Sequence, residues 1–212
     1  MDTIPAPLAK ALKDTRCKRV FKNQIMLYEG DITPDVMLIH SGIVKVHDID
    51  EQGNEKILHL LQCPALFPFA FFTGGDVATR WYYTALTDCE IQVMPKQELR
   101  DLITSNPELA MYLMNWFSRE MHEILTRLSS LSKTVVRDKL EAALKFLAAR
   151  YSEERRGSWM RVTFPVSHQL LADMTGITRE SATLTMKELQ AEKVVRAPRA
   201  TILEINQSKL SG

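Results

Sequence analysis

Short runs of alternating apolar and polar residues occupy the first half of the chain, as expected for β-strands. Residues 36–47 are rich in β-branched side chains, with Gly42 as a bend or bulge inside the run. Turn-forming residues at 51–54 follow, and a later alternation over 84–94 stops at Pro95. Strands this short, separated by turns, predict a small antiparallel β-barrel or jelly roll.

A helical pattern replaces the strands near residue 105. Asn106 suits a helix cap, Pro107 suits the first helical position, and Glu108 suits the positive end of the helix dipole. Apolar residues then recur in steps of three and four, which is the seam of a two-stranded coiled coil. This seam, the predicted dimer interface, consists of Met114, Phe117, Met121, Ile124, Leu128, Leu131 and Val135.

The other faces of this helix are polar, and Glu120 and Arg127 are among the residues on them. A helix packed only on its own barrel would normally carry a wider stripe, with a third apolar position in each heptad. Packing on the barrel is therefore the alternative, and the narrow seam favours a homodimer through residues 107–135.

Residues 167–192 predict a helix-turn-helix, preceded by a further helix over 136–151. Ser167 caps the first short helix, Gly176 takes the positive φ that the turn needs, and Thr178 caps the second helix. Strand patterns on both sides of the motif predict a wing. An ordinary α-hairpin is the alternative to the helix-turn-helix. The predicted wing strands lie within 194–205, with a third strand at 160–164.

The formal net charge of +1, from 27 Lys and Arg against 26 Asp and Glu, hides an asymmetry. Residues 1–133 hold 14 basic and 17 acidic residues, a balance of −3, whereas residues 134–212 hold 13 and 9, a balance of +4. An acidic first part and a basic second part indicate nucleic acid as a partner of the second part.

Composition argues against several classes of protein. No apolar run approaches the roughly 18 residues that span a bilayer, and the start of the chain lacks the pattern of a secretory signal. The cysteines Cys17, Cys63 and Cys89 are too few and too scattered for a disulfide framework, so a cytoplasmic protein is expected. No nucleophile–base pair, carboxylate pair or phosphate-binding loop indicates an enzyme. A DNA-binding protein without a sensing role is a further alternative.

The order of barrel, long helix and winged helix-turn-helix resembles the Crp–Fnr superfamily of bacterial transcription regulators. Segments 28–31, 39–46, 53–55, 86–91 and 170–181 carry the resemblance, and the last of these is the most specific. The resemblance implies an α+β fold with a sensory antiparallel β-barrel or jelly roll, a long dimerisation helix and a C-terminal winged helix-turn-helix. The corresponding domains would span residues 1–105, 106–135 and 136–212.

The resemblance also implies partners and contact residues. A homodimer would bind a palindromic site on double-stranded DNA and would contact RNA polymerase. Arg179 can pair with guanine and Glu180 with the cytosine amino group, whereas two wing arginines would meet phosphates. Leu184 stands where the family pattern has a second arginine, so the preferred DNA sequence is expected to differ. The expected DNA contacts are Ser167, His168, Gln169, Thr178, Arg179, Glu180, Ser181, Thr183, Arg196 and Arg199.

The barrel departs from the cyclic-nucleotide-binding members of the family. Residues 67–70, at the place of their Gly-Glu pair, include Phe69 and no carboxylate. Thr79 and Arg80 stand at the place of their Arg-Ser pair, so cyclic AMP and cyclic GMP are not the expected effectors. The iron–sulfur branch uses a cluster of N-terminal cysteines, whereas Cys17 stands alone and makes such a cluster unexpected.

A small-molecule effector of another kind is expected in an apolar or aromatic pocket of the barrel. The residues assigned to this pocket are Phe67, Phe69, Arg80, Trp81, Tyr82, Ile124 and Leu125. Core packing of the same aromatic side chains is one alternative, and a regulator with no effector is another. A third alternative is a haem-based or redox-responsive sensor of a gas such as NO or CO, with axial ligands among His40, His47, His59 and His122.

Overall fold

The computed structural model describes residues 5–12, 15, 17–73, 77–154, 157–199 and 202–210. The chain forms two compact units, the first from residues 1–49 and 57–122 and the second from residues 50–56 and 123–212. The predicted α+β architecture is confirmed. Within the described ranges, no helix is both long enough and apolar enough to cross a membrane.

The first eight strands form two four-stranded sheets. They are β1 (Cys17–Val20), β2 (Ile25–Leu27), β3 (Asp35–Ser41), β4 (Ile43–Ile49), β5 (Glu55–Gln62), β6 (Ala65–Phe67), β7 (Tyr82–Ala85) and β8 (Cys89–Pro95). One sheet has the order β1-β8-β3-β6, and the other has the order β2-β7-β4-β5. Neighbours such as β3 with β8 and β4 with β7 pair antiparallel, as the predicted barrel or jelly roll requires.

The core of the first unit lies between these two sheets. Val36 and Leu38 of β3 are 1% and 3% exposed, and Val44 and Val46 of β4 are 0% and 1% exposed. All four belong to one apolar cluster that also contains Tyr83 of β7. Successive side chains of a strand alternate between its faces, which places Val36 with Leu38, and Val44 with Val46, on one face of their strands. Each buried aliphatic side chain contributes roughly 1.5–3 kcal/mol of hydrophobic stabilisation.

Two helices of the first unit were not predicted from the sequence pattern. Helix α1 (Ala6–Leu12) places Leu8 and Leu12 in the core. Helix α2 (Lys96–Ser105) begins directly after β8 and buries Leu99.

Helix α3 (Pro107–Leu131) begins at the predicted proline. Its first turns pack Leu109, Leu113 and Trp116 into the core of the first unit, each at most 5% exposed. The side-chain amide of Asn106 donates to the carbonyl oxygen of a residue four positions earlier, at 2.9 Å. That side-chain hydrogen bond closes the end of α2. Asn106 also directly precedes α3, as predicted, and its carbonyl oxygen accepts from the backbone N–H of Ala110 at 3.1 Å.

The second unit contains the helix-turn-helix with its wing, as predicted. Its helices are α4 (Val136–Arg150), α5 (His168–Thr175) and α6 (Arg179–Ala191). Its strands are β9 (Ser152–Glu154), β10 (Trp159–Val162), β11 (Val195–Arg199) and β12 (Ile202–Asn206), in the order β11-β12-β10-β9. The residues between β11 and β12 lie outside the described residues. The division between the two units falls inside α3, and the finer boundaries at residues 105 and 135 stay a prediction.

Gly42, the residue between β3 and β4, generates a prediction about stability. Its φ is +89°, and an added Cβ would lie 2.4 Å from the carbonyl oxygen of Asp88 and 2.6 Å from Sγ of Cys89. Both the backbone strain and the clash oppose a side chain here. We expect Gly42→Ala to lower the free energy of unfolding by more than the about 1–3 kcal/mol that a strained backbone alone costs. Urea denaturation of the two proteins measures this difference.

Gly30→Ala is the matched control for this measurement. Gly30 has the same φ of +89°, and among the described residues no atom beyond its chain neighbours would lie within 4 Å of an added Cβ. Equal losses of stability in the two variants would show that the close approach to Asp88 does not contribute.

Candidate nucleic-acid interface

Side chains next to the helix ends hold the turn between α5 and α6. Ser167 Oγ accepts a hydrogen bond from the backbone N–H of Leu170 at 3.0 Å, which caps α5. Thr178 Oγ1 accepts one from the backbone N–H of Ser181 at 3.2 Å, which caps α6. Gly176 ends α5 in the left-handed conformation, with φ at +65°. Both predicted caps and the predicted glycine turn are therefore confirmed.

Small side chains allow α5 and α6 to pack closely. Ala172 of α5 is 2% exposed and Ala182 of α6 is fully buried. Leu171 and Leu189 complete this core, both at 0% exposure. Since these residues occupy the inner side of α6, the other side of the helix faces solvent.

The solvent side of α6 presents both charges and one large apolar residue. Arg179 and Glu180 are exposed in the first turn, and Lys187 is exposed two turns later. Leu184 lies between them and is 62% exposed. Guanidinium donors and carboxylate acceptors are the groups that recognise guanine and cytosine edges in a major groove. The backbone N–H groups at the start of α6 also favour a nearby phosphate.

Internal hydrogen bonds hold Thr183 and the start of α5. The Thr183 hydroxyl donates to the carbonyl oxygen of Arg179 at 2.8 Å and lies 3.0 Å from Nδ1 of His168. A hydroxyl has one proton, so Nδ1–H of His168 is the donor in the second bond. The Thr183 hydroxyl consequently has no proton left to donate to another group. Gln169 is exposed, and its amide donates to Asp173 at 2.7 Å.

The two wing arginines have different surroundings. Arg196 Nε donates to Glu204 Oε2 at 2.5 Å, and its guanidinium lies 4.1 Å from the centre of the Trp159 ring. Arg199, at the end of β11, is exposed. Because Glu204 neutralises the charge of Arg196, Arg199 is better suited than Arg196 to a phosphate contact.

An arginine of α3 is buried against the helix-turn-helix, although the sequence pattern placed it on a polar face. Arg127 is 7% exposed, and its Nη2 donates to the carbonyl oxygen of Met174 at 3.3 Å. Its guanidinium also lies 5.0 Å from the centre of the Phe146 ring. Burial lowers the pKa of Arg127, and the partial negative charge at the C-terminal end of α5 offsets part of this desolvation. Arg127 therefore positions α5.

An ion-pair network fixes the other end of α6. Arg137 of α4 donates from Nη1 and Nη2 to the Glu192 carboxylate at 2.7 and 2.5 Å, and from Nε to Glu141 at 2.8 Å. The Arg137 hydrogen bonds lower the pKa of Glu192. Lys209 donates to the carbonyl oxygen of Glu192 at 2.8 Å. Single exposed pairs contribute little, but a bidentate arginine with two acidic partners constrains the geometry.

The predicted dimer seam is open to solvent in the single chain. Its exposed fractions are 60% for Met114, 38% for Phe117, 43% for Met121, 62% for Leu128 and 53% for Val135, and Ile124 and Leu131 are half-buried. Helix α3 ends at Leu131, so the predicted helical seam does not continue to Val135, which has extended backbone at the start of α4. Met111 and Leu125 extend the apolar surface, at 53% and 56% exposed. Exposed apolar side chains in such number are typical of a contact with another protein surface.

Another charged side chain of α3, Glu120, is buried in the first unit. Glu120 is 4% exposed, and its Oε2 lies 2.6 Å from Nε2 of His59 in β5, which is 1% exposed. The imidazole N–H donates to the carboxylate, which makes this a charge-assisted hydrogen bond. The heptad pattern gave no sign of this contact, because the histidine lies 61 residues away along the chain.

Two of the predicted effector residues pack around Tyr83. Phe67 is fully buried, and its ring stacks on that of Tyr83 with centroids 5.3 Å apart. The backbone N–H of Phe69 donates to the Tyr83 hydroxyl at 3.0 Å. Burial raises the pKa of Tyr83 to about 12. These contacts are core packing, the alternative that the sequence left open, and an effector contact stays a prediction.

The other predicted effector residues vary in exposure. Arg80 is exposed, whereas Trp81 and Tyr82 are half-buried. Ile124 is half-buried and Leu125 is 56% exposed, and both belong to the second unit.

A cavity of about 10 Å³ has room for about one water molecule. None of the predicted pocket residues lines it. Its lining consists of Leu8, Leu38, Pro64, Leu66, Tyr112, Leu113 and Trp116.

The four histidines do not fit haem ligation as they stand. His40 and His122 are exposed. His47 and His59 are buried, but Nε2 of His47 lies 2.9 Å from Thr84 Oγ1, and Nε2 of His59 bonds a carboxylate. Coordination of iron through either Nε2 would break these bonds. In the described part of the chain, no three His, Cys, Asp or Glu residues are grouped to hold a metal ion.

Two family models match the chain. A model described as cyclic nucleotide-binding domain matches residues 17–106, and one described as Crp-like helix-turn-helix domain matches residues 139–210. The cAMP-activated global transcriptional regulator CRP of Haemophilus influenzae is 25% identical over 179 residues, which cover 84% of this chain and 79% of that protein. The HTH-type transcriptional regulator ArcR of Staphylococcus haemolyticus is 27% identical over 194 residues, which cover 90% and 83%.

The solved structures agree on the fold. The structure of a CooA mutant from Carboxydothermus hydrogenoformans superposes with a TM-score of 0.78 at 18% identity, covering 99% of this chain and 95% of that chain. The two matched domains follow one another in the order that the sequence predicted, and the relatives are transcription regulators. The chain therefore belongs to the Crp–Fnr superfamily of DNA-binding transcription regulators.

Proposed function

We propose that this protein acts as a homodimer that binds a palindromic site on double-stranded DNA. The observation that carries the proposal is the first turn of α6, where Arg179 and Glu180 are exposed on a helix whose start is capped. A dimer through α3 would present two α6 helices to successive major grooves, about 34 Å apart. The exposed apolar seam of α3 supports this dimer.

The contacts divide into two classes within this proposal. Arg179 and Glu180 recognise guanine and cytosine edges, and the Thr183 methyl contacts a base or the sugar. Wing residue Arg199 binds phosphate, which positions the protein without sequence preference. Arg196 makes a weaker phosphate contact, because the Glu204 carboxylate offsets its positive charge. The remaining proposed contacts, at or near the helix N-termini, are Ser167, His168, Gln169, Thr178 and Ser181.

The barrel over residues 1–105 is proposed as the sensory domain, with dimerisation through 106–135 and DNA binding through 136–212. The effector is a small molecule other than a cyclic nucleotide, because Phe69 and Thr79 stand where the nucleotide-binding pattern has charged residues. Thr79 is 3% exposed, and its hydroxyl already donates to the carbonyl oxygen of Trp81 at 3.2 Å. The dimer works in the cytoplasm through contact with RNA polymerase and without enzymatic activity.

A substitution in the seam tests the dimer. Leu128→Asp would bury two carboxylates in the interface and should weaken association by several kcal/mol through desolvation. Light scattering of the unmodified protein at micromolar concentration should give twice the chain mass of 24.2 kDa, and the variant should be monomeric. Ser129→Asp is the control, because Ser129 is exposed outside the seam. A monomeric unmodified protein would contradict the proposal.

A pair of arginine variants tests the division of DNA contacts. Arg179→Ala should cost about 1–3 kcal/mol on the preferred site and relax discrimination at one base pair in each half-site. Arg199→Ala should weaken binding to all sequences alike. The slope of the logarithm of the binding constant against the logarithm of salt concentration should become shallower by about one for each lost phosphate contact.

The measurement is a titration of both variants against selected and scrambled DNA at two salt concentrations. If Arg179→Ala weakened binding to both DNAs equally, Arg179 would contact phosphate, and the assignment of base recognition to this residue would be wrong. If the unmodified protein did not distinguish selected from scrambled DNA, the proposed function itself would fail.

Calorimetry with cyclic AMP and cyclic GMP tests the assignment of the effector class. We expect no binding in the micromolar range, because phosphate and ribose groups buried without partners cost roughly 1–3 kcal/mol each. Circular dichroism of the same sample confirms that the protein is folded. Micromolar affinity for either nucleotide would overturn this assignment.

A further inference from the structure

Leu184 is a large apolar residue that the fold of the second unit does not bury. It is 62% exposed, whereas Ala182, Met186 and Leu189 of the same helix are at most 3% exposed and form its inner side. Leu184 lies one helical turn after Glu180, so it shares the surface that carries the charged residues. An apolar side chain in water gains free energy when a partner covers it.

We infer that Leu184 recognises the C5-methyl group of a thymine in each half-site of the DNA. The inference rests on the proposed function, since it requires α6 to lie in the major groove. Thymine is the base that offers a methyl group there, beside an O4 acceptor. A leucine has no donor or acceptor, so it would leave the polar edge of guanine or cytosine desolvated and unpaired.

The surroundings of Leu184 strengthen this assignment. The Thr183 hydroxyl is hydrogen-bonded to the Arg179 carbonyl oxygen and to His168. The methyl group of Thr183 is therefore the part of this side chain without a hydrogen-bonding role, and Leu184 is the next residue. Residues 183 and 184 therefore offer aliphatic groups one turn after the charged pair. A half-site with a guanine or cytosine read by Arg179 and Glu180, followed by a thymine, matches this order of chemical groups.

The test uses deoxyuridine, which differs from thymidine only by the missing methyl group. The preferred duplex is first selected from random DNA with the full chain, and each thymine is then replaced symmetrically in both half-sites. One replacement should weaken binding about fourfold for each half-site, the effect of burying one methyl group. Leu184→Ala should bind the thymine and uracil duplexes equally.

Two control variants make the result specific. Leu184→Met keeps an apolar side chain of similar size and should retain the preference for thymine. Lys187→Ala removes an exposed charge of the same helix and should weaken binding to both duplexes while the preference for thymine remains.

The outcomes separate this inference from the proposed function. A selected duplex that is bound equally with thymine or uracil at every position would overturn the role of Leu184 but leave sequence-specific binding intact. A preference for thymine that persists in Leu184→Ala would assign the methyl contact to another residue and also overturn it. Failure to select any duplex would overturn the proposed function and this inference with it.

Discussion

Helix α3 carries apolar residues both on a side that is buried in the first unit and on a side that is exposed to solvent. The exposed apolar side is the constraint on which the proposed assembly depends. One side packs Leu113 and Trp116 into the core of the first unit. Another side leaves apolar residues such as Met121 and Leu128 in contact with solvent, at 43% and 62% exposure. Apolar surface in water costs about 25 cal/mol for each Å² that burial would remove. A single chain therefore retains a driving force for any surface that covers the seam, and in the proposed dimer a second copy of the same helix supplies that surface.

The buried positions of α3 are not purely apolar, because Glu120 is buried in the first unit and Arg127, seven residues later, is buried in the second. Desolvation of an ionised group costs several kcal/mol unless partners replace the lost water. His59 supplies such a partner for Glu120, and the carbonyl oxygen of Met174 supplies one for Arg127. Removing either partner would leave a buried charge uncompensated, which is strongly destabilising, so each contact constrains α3 within its own unit.

Features that depend on near neighbours could be predicted from the sequence. Ser167 and Thr178 cap their own helices through backbone groups three residues away, and Gly176 needs only its own φ. Features that depend on distant partners could not be predicted. A polar residue in a heptad pattern looks the same whether it faces water or, like Glu120, meets a histidine 61 residues away. The alternation of β8 stops at Pro95, but a strand that ends does not by itself indicate a helix, so α2 directly after it was not predicted.

Two arginines of the second unit are paired with carboxylates, which makes them less available to a phosphate than an unpaired arginine would be. Residues 134–212 have a surplus of four basic residues, but two of their arginines are engaged by carboxylates of the same unit. Arg137 binds Glu192 at both ends of its guanidinium, and Arg196 binds Glu204. Non-specific affinity grows with the number of phosphates neutralised, and these two arginines are already engaged by carboxylates. In the proposed function, discrimination between DNA sequences comes from the base edges, where the exposed face of α6 combines a donor, an acceptor and an aliphatic group.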